Sequence, residues 1–390
     1  MADLTVATLL DTPATGEAVK GHDTRGAIEI ALLGVAITIA FALQSTTTFV
    51  SGTALCLFFL IRYRKLLTVD PGVVTRGLLI LVLFTPALFK PGHGISPVFY
   101  VFSTAVSFAT AYVISRFSAA AIHRAATIIY WALAMALGVI LAMNWGSPTP
   151  FEQVVEGSST NAIPSYMIIV QLLLSVTCFV MTGRAPVLTP VVTFLIAFVG
   201  SGRGSLVVGS LLVIGSLIIN LFPRHGSFIF RATVFAVSLI AMVQLAVHAE
   251  EVYDYVARFT KLSVGIADEN RKQILAGYMA SITPYTFFFG SEYQGTIIDI
   301  QYKGNPHISY IRTHSFFGIF VMLMALLSPL LVFFSRAPWS LKMPVFFFIS
   351  LAVIRAGTEP ILFPTLLDVF YFLMIFVYFR AKKASEVQYA

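Results

Sequence analysis

Apolar runs of 15 to 23 residues recur along this chain, twelve in all, near 26–43, 46–61, 74–89, 97–114, 125–143, 165–182, 186–200, 204–222, 228–248, 313–335, 342–356 and 361–379. At a rise of about 1.5 Å per residue, such a run crosses or nearly crosses a hydrocarbon core of about 30 Å. In lipid the backbone must satisfy its own polar groups, and uninterrupted runs of this length do so as helices. The expectation is an all-α fold: a polytopic membrane bundle with about 12 transmembrane helices. Composition agrees, since 58% hydrophobic and 11% charged residues are far from the balance of a water-soluble domain.

Basic residues orient the spans, because Lys and Arg near span ends stay on the cytoplasmic side. With the amino terminus inside, 16 of the 25 Lys and Arg fall on inner segments, among them Arg25, Arg62, Arg116, Arg184 and Arg380. Short outer connections hold only Lys90, Arg203 and Arg355. The chain then divides into a cytoplasmic tail (1–25), helices one to nine (26–248), a long outer loop (249–311), helices ten to twelve (312–380) and a second cytoplasmic tail (381–390). The net charge of +7 reads as topology, and no continuous basic patch points to nucleic acid. The segment before the first run has no small-residue cleavage site, so that run is expected to be retained. Cys56 and Cys178 fall within spans and supply neither a disulfide framework nor a metal set.

Three outer features stand out. The turn "GSGRGSL" sets Arg203 between Gly202 and Gly204, where glycines allow close backbone approach and a guanidinium suits an anion; an interfacial arginine snorkelling to water would look the same. The long loop opens on "AEEVYDYVARF", with apolar residues at helical spacing. It continues with "ADENRKQILAGYMASI", where Asp268 is a candidate N-cap and Arg271 lies in the first turn of a helix, favourable for an anion. After Gly290 the loop turns irregular and closes on "GNPHISYIRTHSFFGIF", which carries His307, Tyr310, Arg312 and His314 into the tenth span.

The order and spacing of these features, over about residues 198–320, resemble the O-antigen polymerase and O-antigen ligase superfamily. Its members typically show an "SRG"-like turn and an "HNSYL…G"-like span entry; here Gly202 interrupts the first pattern and Ile308 replaces the asparagine of the second. The resemblance implies a glycosyltransferase of the bacterial inner membrane, both termini cytoplasmic, with the long loop periplasmic. The donor would be an undecaprenyl-diphosphate-linked glycan, and no cofactor is implied. Arg203, Arg271 and Arg312 would bind the diphosphate as charge builds on the leaving group. No "DxD" run offers a metal for that task.

His307 would take the acceptor hydroxyl's proton, an imidazole's ordinary pKa being about 6.5. Gly202, Gly204, Tyr310, His314 and Glu269 would position substrate. Each has a plainer alternative: a histidine satisfying a backbone carbonyl, Tyr310 in an aromatic belt, Arg312 anchoring in headgroups, or Glu269 and Glu292 as solvated carboxylates. Direct displacement inverts the anomeric centre. A polymerase would extend another lipid-linked glycan and work beside a chain-length co-polymerase and a flippase; a ligase would deliver the glycan to lipid A core.

Transport is the rival class. Asp368, inside the last span in "LLDVFYF", would suit an ion path or a lipid-linked glycan flippase, unless Arg355 pairs with it structurally. The absence of internal repeats and the long outer loop favour the transferase.

Overall fold

A computed structural model of the chain describes residues 23–43, 45–67, 82–89, 96–144, 147, 151, 162–200, 202–221, 269–302, 304–335 and 337–389. Among the described residues every regular element is helical. In chain order these are α1 (Asp23–Ala42), α2 (Thr46–Arg62), α3 (Ser96–Ser115), α4 (Ala119–Met143), α5 (Ala162–Thr182), α6 (Leu188–Val199) and α7 (Arg203–Leu221). There follow α8 (Glu269–Ala280), α9 (Pro284–Phe289), α10 (Ile297–Ile300), α11 (Ser309–Phe317), α12 (Ile319–Leu327), α13 (Trp339–Ala356) and α14 (Asp368–Tyr389).

Six of these helices, α1, α3, α4, α5, α7 and α13, are long and apolar enough to cross a membrane. The chain thus has the helices of a membrane protein. The other expected spans differ in kind. α2 and α6 are apolar but shorter, and α14 begins at Asp368, later than the apolar run that leads into it. The ninth expected span and the "AEEVYDYVARF" helix lie outside the described residues, as does half of the third span, of which 82–89 is described.

α5 is the axis of the bundle. It packs against α1, α4, α6, α7, α13 and α14, and 94% of its apolar window is buried. A helix enclosed on all sides reads apolar all round, as α5 does. Its buried polar groups are matched locally: Gln171 Nε2 donates to Ser175 Oγ at 2.9 Å, and Thr177 Oγ1 to the Leu174 carbonyl at 3.0 Å. Elsewhere small residues let helices close up. A Cβ on Gly34 of α1 would lie 2.3 Å from Ile129 of α4, and one on Gly215 of α7 would lie 2.2 Å from Phe347 of α13.

Basic side chains collect at one end of the bundle. Arg62, closing α2, pairs with Glu29 of α1 at 2.8 Å. Arg380 of α14 donates to the carbonyls of Ser115, the last residue of α3, and of Phe117, two residues beyond it. His123 near the start of α4 meets Thr177 in the last turns of α5. Ser165, in the first turn of α5, marks the opposite end.

The tenth apolar run, expected as one span over 313–335, is broken. α11 ends and α12 begins at Gly318, whose φ of 78° and ψ of −175° are open essentially to glycine alone. The reason is packing: a Cβ at Gly318 would stand 1.9 Å from the Phe288 carbonyl oxygen of α9. α9 is itself fixed by a Thr283 N-cap, which accepts from Thr286 N–H, and by Pro284 in its first turn. Gly318→Ala is therefore expected to cost at least about 1–3 kcal/mol from the backbone conformation alone. A thermal melt in detergent checks this; a melting temperature equal to wild type would show that α9 and α11 are not locked together.

Candidate functional site

At the end marked by Ser165, side chains from four distant stretches meet. The centre is Arg355, in the last turn of α13 and 1% exposed. Its Nη2 donates to Ser165 Oγ of α5 and, at 2.9 Å, to Ser205 Oγ in the first turn of α7. Its Nη1 donates to Thr358 Oγ1, just past the helix. A buried guanidinium needs such partners together with an opposite charge. Glu359 supplies the charge: its Oε1 lies 3.9 Å from Arg355 Nη2 and 3.0 Å from Arg271 Nη2. Arg271 reaches it from the first turn of α8 and keeps 20% of its side chain exposed, against 3% for Glu359.

The alternative pairing of Asp368 with Arg355 does not form. Asp368 Oδ1 accepts from Phe363 N–H and Oδ2 from Thr365 N–H, both at 2.9 Å, so this carboxylate closes the connector that precedes its own helix. Its partners are thus in the chain segment just before it. The helix break at Gly318, which on its own suits a transporter, is packed against α9.

Glu359 escaped the sequence reading, although it sits four residues after Arg355 in "RAGTEP". That spacing at a helix end is a signal for a cation–anion pair. Ser165, Ser205 and Thr358 carried no distinguishing mark.

The "GSGRGSL" turn borders this cluster. A Cβ on Gly204 would lie 2.8 Å from Thr358 Oγ1 and 3.0 Å from Arg355 Nη1, so its close approach is to protein. Gly202 is buried, and its carbonyl accepts from Leu206 N–H at 2.9 Å. Arg203 opens α7 and Glu269 opens α8 as expected, but both side chains, like Asp268, lie outside the described residues.

The "PHISY" segment arrives at the same place. Ser309 Oγ donates to the Glu359 carbonyl at 2.7 Å and accepts from Leu362 N–H at 3.2 Å. Arg312 Nη1 donates to the Pro360 carbonyl at 3.2 Å, Thr313 Oγ1 to the Phe363 carbonyl at 2.7 Å, and Tyr310 OH to the Val353 carbonyl. α11 thus clips the end of α13 and the connector 357–367, and Tyr310 and Arg312 face backbone oxygens there. His307 stands two residues before Ser309. It is half-buried, with φ of 53°, its ring is edge-on to Tyr302 with centroids 5.2 Å apart, and its N–H donates to Asn305 Oδ1 at 3.0 Å. A positive φ outside glycine is uncommon and is often kept at functional positions.

His314 is placed differently, 3% exposed beneath α8. Its Nε2 lies 2.9 Å from the Phe287 carbonyl, which can only accept, so Nε2 carries the proton. Its Nδ1 then accepts from Tyr278 OH at 2.7 Å. Burial pushes the Tyr278 phenol well above its ordinary range, so this donor stays protonated. His314 ties α8 and α9 to α11. Glu292 is half-buried in the turns beyond α9.

No family model, curated protein or solved structure matches the chain.

Proposed function

We propose that the protein is a glycosyltransferase that polymerises undecaprenyl-diphosphate-linked repeat units of O-antigen or exopolysaccharide at the periplasmic face of a bacterial inner membrane. One observation carries the reading. The three stretches that resemble the polymerase and ligase superfamily, lying far apart in sequence, adjoin a single buried Arg355–Glu359–Arg271 cluster at one end of the bundle. The opposite end holds Arg62 and Arg380, and the positive-inside rule makes that end cytoplasmic. The cluster then faces outward, where lipid-linked glycans are joined.

In this reading the partly exposed Arg271, at the positive end of α8, meets the diphosphate as the glycosyl bond breaks. His307 accepts the proton of the attacking sugar hydroxyl, and displacement in one step inverts the anomeric centre. Lipid bilayer, a chain-length co-polymerase and a flippase are the partners this chemistry calls for.

The test is turnover by purified protein in detergent, with chelator and with lipid-linked repeat units as the sole substrate. Products of two or more repeats on the lipid carrier are the expected result. Transfer that needs added lipid A core would make the protein a ligase. No transfer to either acceptor would overturn the enzyme reading in favour of transport.

A further inference from the structure

The geometry around Glu359 points to a counter-ion built for exchange. We infer that Glu359 holds Arg271 until a diphosphate takes that guanidinium, and that Arg355 then balances the Glu359 charge. This rests on reading the cluster as an anion site and adds what sets its affinity.

Two of the three partners are enclosed and one reaches solvent. The Glu359 main chain is tied down by Ser309, and its neighbour Pro360 by Arg312. Arg355 is locked by hydroxyls from α5, α7 and Thr358. Arg271 comes from a separate short helix and is the member of the three that reaches solvent.

The distances match those roles. Arg271 makes the hydrogen-bonded contact at 3.0 Å, whereas Arg355 stands at 3.9 Å from the same Oε1, inside ion-pair range but outside hydrogen-bond range. A buried carboxylate that lost its sole cation would be strongly disfavoured, and ligand binding would have to overcome that loss. A second guanidinium on the same oxygen keeps Glu359 compensated when Arg271 leaves. A site built only to bind anions has no use for a carboxylate on its exposed arginine; a site built to bind and release one does. Glu359 therefore competes with the ligand, and Arg355 weakens that competition.

Binding of farnesyl diphosphate, a soluble polyprenyl diphosphate, and of inorganic pyrophosphate tests this on purified full-length protein in detergent, each variant first shown to be monodisperse. Arg271→Gln should abolish binding. Glu359→Gln, which keeps a hydrogen-bonding group but no charge, should tighten it on the order of ten-fold. Arg355→Gln should weaken it by about the same factor, and it provides the test should Glu359→Gln fail to fold. Stronger binding of farnesyl diphosphate than of pyrophosphate would mark a lipid-linked ligand, and equal binding a free phosphate species.

If Arg271→Gln abolishes binding while Glu359→Gln leaves it unchanged or weaker, the exchange is wrong and the anion site stands. Unchanged affinity in Arg355→Gln also overturns the exchange. Binding detectable only in Glu359→Gln supports it, and binding in neither wild type nor that variant removes the anion site as well.

Discussion

Replacing His307 is expected to slow glycan transfer by about 10²- to 10⁴-fold, the usual contribution of a general base. The protein should remain folded, because the half-buried imidazole lies outside the Arg355 cluster and the bond to Asn305 is made by the His307 main chain. The choice of substitute matters. With φ at 53°, asparagine tolerates the left-handed region better than alanine does, and it lacks a base. His307→Asn should therefore bind donor as wild type does and transfer it poorly. Donor binding and single-turnover transfer, measured separately with chelator present, check this. Wild-type transfer rates would take His307 out of the chemistry; lost donor binding with intact folding would move it to the diphosphate.

His314→Ala should have an effect of the opposite kind: a loss of stability of about 2–5 kcal/mol, with any activity loss following from unfolding. The substitution removes the acceptor of the Tyr278 hydroxyl proton, deprives the Phe287 carbonyl of its donor, and leaves a hole where an imidazole was. A double-mutant cycle with Tyr278→Phe should show a coupling of about 0.5–3 kcal/mol. Equal melting temperatures for His314→Ala and wild type would refute the clasp. The two histidines stand seven residues apart and look alike in sequence, so the contrast separates chemistry from architecture.

That contrast also shows what a sequence reading reaches. Hydrophobic length was legible because a bilayer imposes it: six helices have the length and composition the runs imply. The start of α8 near Arg271 was legible from local chemistry, as was the irregular chain after Gly290, where φ is 91°. The break at Gly318 was not, since a hydropathy window averages over a glycine whose conformation is dictated by α9. Asp368 looked like an intramembrane carboxylate because its partners are backbone N–H groups, which every sequence has everywhere. Glu359 was hidden for a related reason: the meaning of a carboxylate in a short connector depends on Arg271, 88 residues away in the chain.

The enclosure of α5 has a consequence for the order in which the protein is made. Chains are synthesised from the amino terminus, so α5 enters the bilayer long before α13 and α14 exist. Gln171, Ser175 and Thr177 can wait there, because Gln171 and Ser175 bond each other and Thr177 bonds its own helix. Ser165 receives its bond from Arg355 only when that residue, 190 residues later, has been made. Until the carboxy-terminal third emerges, the helix that becomes the most sheltered in the bundle stands exposed to lipid on the faces α13 and α14 will cover. The polar end around Arg355, which needs residues 355–359, is thus assembled last.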